Sequence, residues 1–433
     1  MTPDEPRSGA DPVALVQTPA PRRRLLVDTA PLRQHREFRL LWTGQAVTFL
    51  GSMITYVAVP FQVYDLTGSS ALVGLLGLVE FVAMILTAFV GGALADAVDR
   101  RLMVRSTEAA LLLASLGLLG NALLARPSVA ALFVLVGLIT AFDSLQRPSL
   151  DSLLPRLVPR EQLGSAAALT SFRMTAGMIA GPALGGLLLS TVGLASTYAV
   201  DVATFALSLL ALQLMRAVPP PPEAVRPSAR GVVEGLRYAR SRPELTGTYL
   251  VDINAMFFGM PNALFPALAR GFGGAGVLGL LYSAPAVGAL VASVTSGWTS
   301  RVHRHGLAVL WAAGLWGAAI VGFGLSGQLW LALLFLALAG AADMVSGVFR
   351  STIWNTTIPD HLRGRLAGIE LVSYSSGPTL GNVEAGAVAQ LAGARFSVGF
   401  GGLMCVAGTL ALAVALPAFR SYDARRTERP GDL

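Results

Sequence analysis

The sequence is divided by polar turns and charge into runs of about twenty apolar residues, each the length that spans a bilayer as a helix. The runs cover approximately 40–63, 71–94, 103–124, 128–146, 165–190, 194–215, 246–269, 276–299, 307–326, 329–349, 366–391 and 397–417. Backbone N–H and C=O groups find no water in hydrocarbon, so segments this apolar are predicted to be helices that satisfy their own hydrogen bonds. Composition agrees. Of 433 residues, 54% are apolar and only 13% charged, and mean hydropathy is +0.62. A water-soluble domain carries about twice that share of charge. The expected fold is an all-α membrane protein of twelve transmembrane helices.

The chain contains no lysine, so its positive charge is arginine alone. With the N-terminus inside, 28 of the 32 arginines fall in the tails and in the loops on that side; Arg126, Arg270 and Arg395 fall on the other, and Arg173 lies within helix 5. Basic loops stay in the cytoplasm, so both termini are predicted to be cytoplasmic and the protein to sit in the cell's inner membrane. The same distribution accounts for the net charge of +7 without a nucleic-acid partner. The single cysteine, Cys405, excludes an internal disulfide, and no metal cluster or cofactor is expected. His35, His303, His305 and His361 all lie in polar stretches, which argues against histidine catalysis within the membrane, and no Walker loop is present for ATP. An enzyme is therefore not expected.

Residues 1–36 are proline-bearing, include Arg22-Arg23-Arg24 and lack an apolar core, so they are expected to form a disordered basic tail rather than a signal peptide. The longest internal interruption opens on Pro219-Pro220-Pro221-Pro222, a stiff spacer. Val232, Val233, Leu236 and Tyr238 then give a short stretch amphipathic character suited to anionic headgroups. These breaks divide the chain into a tail (1–36), a six-helix bundle (37–216), a linker with an amphipathic helix (217–245), a second six-helix bundle (246–418) and a C-terminal tail (419–433). The halves repeat at an offset near 200: Asp143 matches Asp343, Pro159 matches Pro359, Gly177 matches Gly377, Gly181 matches Gly381, and Arg101 matches Arg301. Duplicated membrane halves with a substrate site between them at mid-depth are a transporter architecture.

Two motifs carry a family resemblance. "GALADAVDRR" at 92–101 resembles the loop 2–3 signature of the major facilitator superfamily through Gly92, Asp96, Arg100 and Arg101, with Asp99 replacing the usual glycine before the basic pair. A degraded echo, "GWTSRVHRHG", stands at 297–306. "GMIAGPALGG" at 177–186 resembles the helix 5 signature of drug and proton antiporters through Gly177, Gly181, Pro182, Gly185 and Gly186. With "VYDLTGSSALVG" at 63–74, "PREQLGSAAAL" at 159–169 and "PDHLRGRLAG" at 359–368, residues 35–420 resemble the exporter branch that contains the siderophore (enterobactin) exporters. The resemblance implies two pseudo-symmetric six-helix bundles and alternating-access export of a siderophore-like or drug-like small molecule, driven by proton antiport. It also implies a monomer. Uptake or lipid translocation by the same fold, and a sensor without a transport cycle, are the alternatives.

For Gly92, Asp96, Arg100 and Arg101 the resemblance implies a gating loop, with Asp96 facing a helix N-terminus of the other half and the arginines pairing with Asp143; the plainer reading is a tight turn that fixes topology. The helix 5 glycines recur every four residues on one face, and Pro182 releases a carbonyl, which suits either a sliding hinge or ordinary close packing. Ionisable groups at membrane depth are costly and so are functional candidates. Glu80, Asp252, Arg173 and Glu384 lie in helices that line or flank the cavity of this fold, with Asp201 less favoured. Glu80 and Asp252 are the candidate proton carriers, and Arg173 is their candidate partner or an anchor for an anionic substrate; a static ion pair is the competing reading. Asp143, Asp343, Glu108 and Glu370 near arginine-bearing helix ends are expected to form structural ion pairs, and Asp65 to cap a turn. Trp42, Tyr56, Phe61, Phe81, Phe257, Phe258 and Tyr282 are aromatic candidates for the cavity wall or the membrane interface.

Overall fold

The computed structural model describes residues 28–97, 100–216 and 237–427; within these, the side chains of 88–97, 100, 152, 360, 361, 363–365, 367–374, 426 and 427 lie outside the described set. Twelve helices of 16 residues or more are found among the described residues: α1 (Arg36–Thr67), α2 (Ser70–Ala97), α3 (Arg100–Leu123), α4 (Val129–Leu153), α5 (Leu163–Thr191), α6 (Gly193–Gln213), α7 (Pro243–Phe258), α8 (Ala275–Val294), α9 (His305–Leu325), α10 (Leu329–Thr357), α11 (Asp360–Ala392) and α12 (Ala394–Ala415). Ten are long and apolar enough to cross a membrane; α7 and α11 are the other two. Leu113, Leu325, Leu391 and Trp311 stand exposed on the outside of the bundle. Water would penalise that surface, whereas a bilayer accommodates it.

The turns follow from local chemistry. At the end of α1, Gly68 takes φ of 64° and its N–H bonds the Tyr64 carbonyl, a left-handed stop that a side chain would strain. Between α3 and α4, Asn121 Oδ1 accepts from the Ser128 N–H at 2.8 Å, and Ser128 caps α4 by accepting from the Ala131 N–H.

Two expectations are corrected. Helix 7 is not continuous over 246–269: α7 ends at Phe258, a short turn at Asn262–Leu264 intervenes, and a second helix runs from Phe265 to Phe272. Gly259 and Pro261 explain the break, since proline cannot donate to the helix ladder. The end of the N-terminal tail is ordered, with Ala30–Gln34 helical and Gln162 bonding both Gln34 and His35, at 2.7 and 3.0 Å. Residues 217–236, which include most of the expected amphipathic linker, lie outside the described residues, and α7 begins at Pro243.

Packing repeats between the halves. In the first, α1 contacts α5 and α6, α2 contacts α4, and α3 contacts α4 and α6. In the second, α7 contacts α11 and α12, α8 contacts α10, and α9 contacts α10 and α12. The halves meet along two seams related by the same symmetry, α2 against α11 and α5 against α8. At the second, a methyl group added to Gly186 would come within 2.7 Å of the Gly279 nitrogen, so the two backbones touch. Close backbone approach of this kind gives dispersion contact without bulky side chains to interlock.

Candidate functional site

A cavity of about 330 Å3 lies against the first half and reaches the seam with the second. Gln45, Thr48, Phe49, Ser52 and Tyr56 of α1 line it, with Gly77 and Glu80 of α2, Glu108 of α3, Asp143 and Gln146 of α4, Arg173 of α5 and Phe205 of α6. The second half contributes Asn262, Ala263, Tyr282 and Asn382. These four form its ceiling at the arginine-poor end of the bundle. Asn262 Nδ2 donates to the Tyr56 hydroxyl at 3.1 Å, and the Tyr282 hydroxyl donates to the Asn262 carbonyl at 3.1 Å. The Tyr56 and Tyr282 rings meet edge to face with centroids 5.3 Å apart.

Further ties between the halves gather at that end. Arg270 Nη2 bonds Asp65 Oδ1 at 3.0 Å and its guanidinium lies over the Tyr64 ring at 4.6 Å. Ser69 donates to Gln390 at 3.3 Å. Nearer mid-depth, the Ser283 hydroxyl donates to the Ile179 carbonyl at 2.7 Å. Asp65, expected only to cap a turn, is thus one partner of an inter-half ion pair.

The candidate charged residues separate into four environments. Glu80, Asp143 and Arg173 line the cavity. Among the described residues Glu80 has no hydrogen-bond or ion-pair partner, and the Arg173 Nε is buried without an acceptor. Asp252 is not paired with Arg173. It forms an ion pair with Arg350 of α10, whose other terminal nitrogen lies 3.4 Å from Asp343. Sequence separation hid this arrangement, because Arg350 reaches back past two helical turns to span α7 and α10. Asp201 is 1% exposed on α6; one oxygen accepts from Ser115 at 2.8 Å and the other has no partner among the described residues. Glu384 is half-buried on α11 and does not line the cavity.

Glu108 also departs from expectation. It lines the cavity wall and accepts from Gln146 Nε2 at 2.6 Å, an amide partner from α4 in place of an arginine. Arg101 donates to the Gln213 carbonyl at 3.1 Å. The side chains of Gly92, Asp96, Arg100 and Glu370 lie outside the described residues.

The helix 5 motif serves two faces. Gly177, Gly181 and Gly185 lie against Phe49, Met53 and Ile54 of α1, while Gly186 and the Pro182 carbonyl face Gly279 of α8. In the second half Gly377 and Gly381 pack against Met256 and Phe257 of α7 in the equivalent way. The motif therefore builds the first half as well as its seam with the second. Of the aromatic candidates, Tyr56 and Tyr282 line the cavity, whereas Phe257 and Phe258 pack on each other with centroids 4.9 Å apart. Phe49, Phe205, Gln45, Gln146, Asn262 and Asn382 were not anticipated. Only helix phase relative to the cavity distinguishes them from similar residues elsewhere, and one sequence does not carry that phase.

Comparison with known proteins agrees with this architecture. Residues 27–431 match the family described as transmembrane secretion effectors. Among curated relatives, an enterobactin exporter EntS of Shigella boydii serotype 4 (strain Sb227) is 31% identical over 399 residues, 91% of this chain and 96% of the relative. The EntS of Citrobacter koseri (strain ATCC BAA-895 / CDC 4225-83 / SGSC4696) is 30% identical over 402 residues, 93% and 97% of the two chains. Among solved structures, the nucleoside transporter NupG superposes with a TM-score of 0.72 at 12% identity, over 89% of this chain and 99% of its own. A bacterial homologue of the iron transporter ferroportin in an inward-facing state gives 0.69 at 17% identity, over 89% and 99%. The structural likenesses establish the fold. Together with the sequence matches, they make this chain a member of the transmembrane secretion effector family of the major facilitator superfamily.

Proposed function

We propose that this multi-pass membrane protein is a secondary transporter that exports a small molecule, siderophore-like or drug-like, by alternating access and proton antiport. The observation that carries the reading is a cavity at the junction of two symmetry-related bundles, capped at its arginine-poor end by inter-half contacts. The arginine distribution supports placing the capped end outside and both termini in the cytoplasm. In that orientation the cavity receives cytoplasmic substrate. Opening the Tyr56–Asn262 and Arg270–Asp65 contacts, with the halves rocking about the Gly186–Gly279 approach, releases it outward. The relatives named as enterobactin exporters support export over uptake.

Two carboxylates are proposed as proton carriers. Glu80 stands unpaired in the cavity, where protonation removes a costly charge at membrane depth. Asp252 shares Arg350 with Asp343, so one of the two acids takes a proton while the arginine keeps a partner.

The test is accumulation of a panel of siderophores and dyes in inverted membrane vesicles under an imposed proton gradient, with Glu80→Gln and Asp252→Asn beside the parent. Gradient-dependent accumulation that either substitution abolishes is the expected result. Accumulation that both substitutions leave intact would overturn the carrier assignment, and no accumulation by folded protein would count against export.

A further inference from the structure

We infer that the Glu80 end of the cavity recognises the positively charged nitrogen of an aromatic organic cation. The inference rests on the export reading and names the substrate class of the same cavity.

Charge is the first argument. The described lining residues include three carboxylates, Glu80, Glu108 and Asp143, and one cation, Arg173. Glu108 is held by Gln146. Arg173 stands ten residues from the start of α5 at the arginine-rich end, and Glu80 ten residues from the start of α2 at the opposite end. At 1.5 Å of rise per residue the two differ in depth by roughly 13 Å. Glu80 is therefore the charge nearest the aromatic ceiling, and no described residue neutralises it. A carboxylate removed from bulk water without a counter-ion is unfavourable, so a cationic ligand gains attraction there while an anionic one is repelled.

Shape and polarity narrow the class. Tyr56 and Tyr282 meet edge to face, and Phe49 and Phe205 add aromatic surface to the same cavity. Aromatic faces attract cations through their quadrupoles and stack on flat apolar rings. Each ceiling amide is engaged through one of its atoms: Asn262 Nδ2 donates to Tyr56, and Asn382 Oδ1 accepts from the Ala263 N–H at 3.0 Å. The end of the cavity beneath the ceiling therefore offers the Tyr56 and Tyr282 rings and the unpaired Glu80 carboxylate. About 330 Å3 suits a molecule of three or four rings, at the small end of ordinary ligand pockets. Because the Tyr56–Asn262–Tyr282 contacts also close the halves together, a ligand seated there touches the contacts that must open for release.

The experiment uses two dyes on one xanthene scaffold with opposite charge, rhodamine 123 and fluorescein, bound at equilibrium to the purified full chain in nanodiscs and read by fluorescence anisotropy. Rhodamine 123 is expected to bind at least about tenfold more tightly than fluorescein, and Glu80→Gln to weaken it about tenfold. Glu80→Asp is expected to remain near the parent. Tyr282→Leu is expected to weaken binding by several-fold and Tyr282→Phe to have little effect, as loss and retention of a ring face require. Should Glu80→Gln fail to fold, the Glu80→Asp and Tyr282 variants decide. Fluorescein binding as tightly as rhodamine 123, no binding of either dye, or rhodamine binding indifferent to Glu80→Gln would each overturn the inference. Gradient-driven accumulation of a neutral or anionic compound in vesicles, with no rhodamine 123 binding, would remove the cation and leave export standing. Glu80-dependent rhodamine binding with no gradient-driven movement of any compound would keep the site and remove export.

Discussion

The two halves share one helix arrangement and treat their buried charges in opposite ways. In the first half, Glu80, Asp143 and Arg173 face a cavity, and Glu108 in its wall is held by an amide. In the second, Asp252 and Asp343 are drawn onto Arg350, which is 9% exposed. Duplication explains the common scaffold, because the same helix pairs touch in both bundles. The side chains at equivalent positions differ: Asp143 and Asp343 correspond at the offset of 200, yet Leu150 stands where the second half has Arg350. Arg350 ties Asp252 and Asp343 together across two helices, whereas among the described residues Asp143 has only the electrostatic influence of Arg147, one turn along its own helix. The first half is arranged to meet a ligand, the second to hold charge within the bundle.

The largest expected contrast comes from removing Arg350 in the second half and Arg173 in the first. Arg350→Met strands two carboxylates and is expected to destabilise the protein by about 3–5 kcal/mol, read as a lowered unfolding midpoint and loss of monodisperse material. Adding Asp252→Asn should restore part of that loss. Arg173→Met, in a wall with solvent access, is expected to cost about 1 kcal/mol or less. Equal losses from the two arginines would break the comparison.

The next contrast sets the seam against an exposed helix face of the first half. Gly186→Val places a branched side chain against the Gly279 backbone and is expected to reduce vesicle transport by at least about tenfold through overpacking of about 1–3 kcal/mol, with the protein still folded. Gly120→Ala, where an added methyl meets nothing within 4 Å, is expected to leave transport within about twofold of the parent. Normal transport by Gly186→Val would show that the halves do not need this close approach.

The smallest effect is expected at the rim. Arg270 and Asp65 are half-exposed or more, so Arg270→Ala removes about 0.2–1 kcal/mol from the closed arrangement. Labelling of a Ser69→Cys probe by an impermeant maleimide should rise by a factor of about two to five. The native Cys405 is fully buried and gives little background. Unchanged labelling would show that the Arg270–Asp65 pair does not contribute to the seal.

Much of the architecture is legible in the linear chain. Apolar run length marks the helices, arginine placement gives an orientation to test, and the 200-residue offset marks the repeat. Gly259 and Pro261 mark the break in α7, but the apolar residues on both sides give 246–269 the composition of one continuous helix. The order of residues 30–34 was not visible, because their anchor, Gln162, lies at the start of another helix. At the site, Glu80 and Arg173 stood out because charge is rare at membrane depth. Gln45, Gln146, Asn262 and Asn382 did not, since amides of that kind occur at many helix positions and only some turn toward the cavity.

Helix positions and the residues too costly to bury without a purpose follow from composition within short stretches of chain, and the repeat follows from matches at a fixed spacing. Tertiary structure alone decided the partners. Arg350 went to Asp252 across α7 and α10, Gly186 met Gly279 across the seam, and Glu80 of the first half was left unpaired beneath a ceiling supplied by the second. Those outcomes depend on the rotation of each helix about its own axis against neighbours far away in sequence, and in a bilayer, where most helix faces are apolar, the hydrophobic pattern carries little record of that rotation.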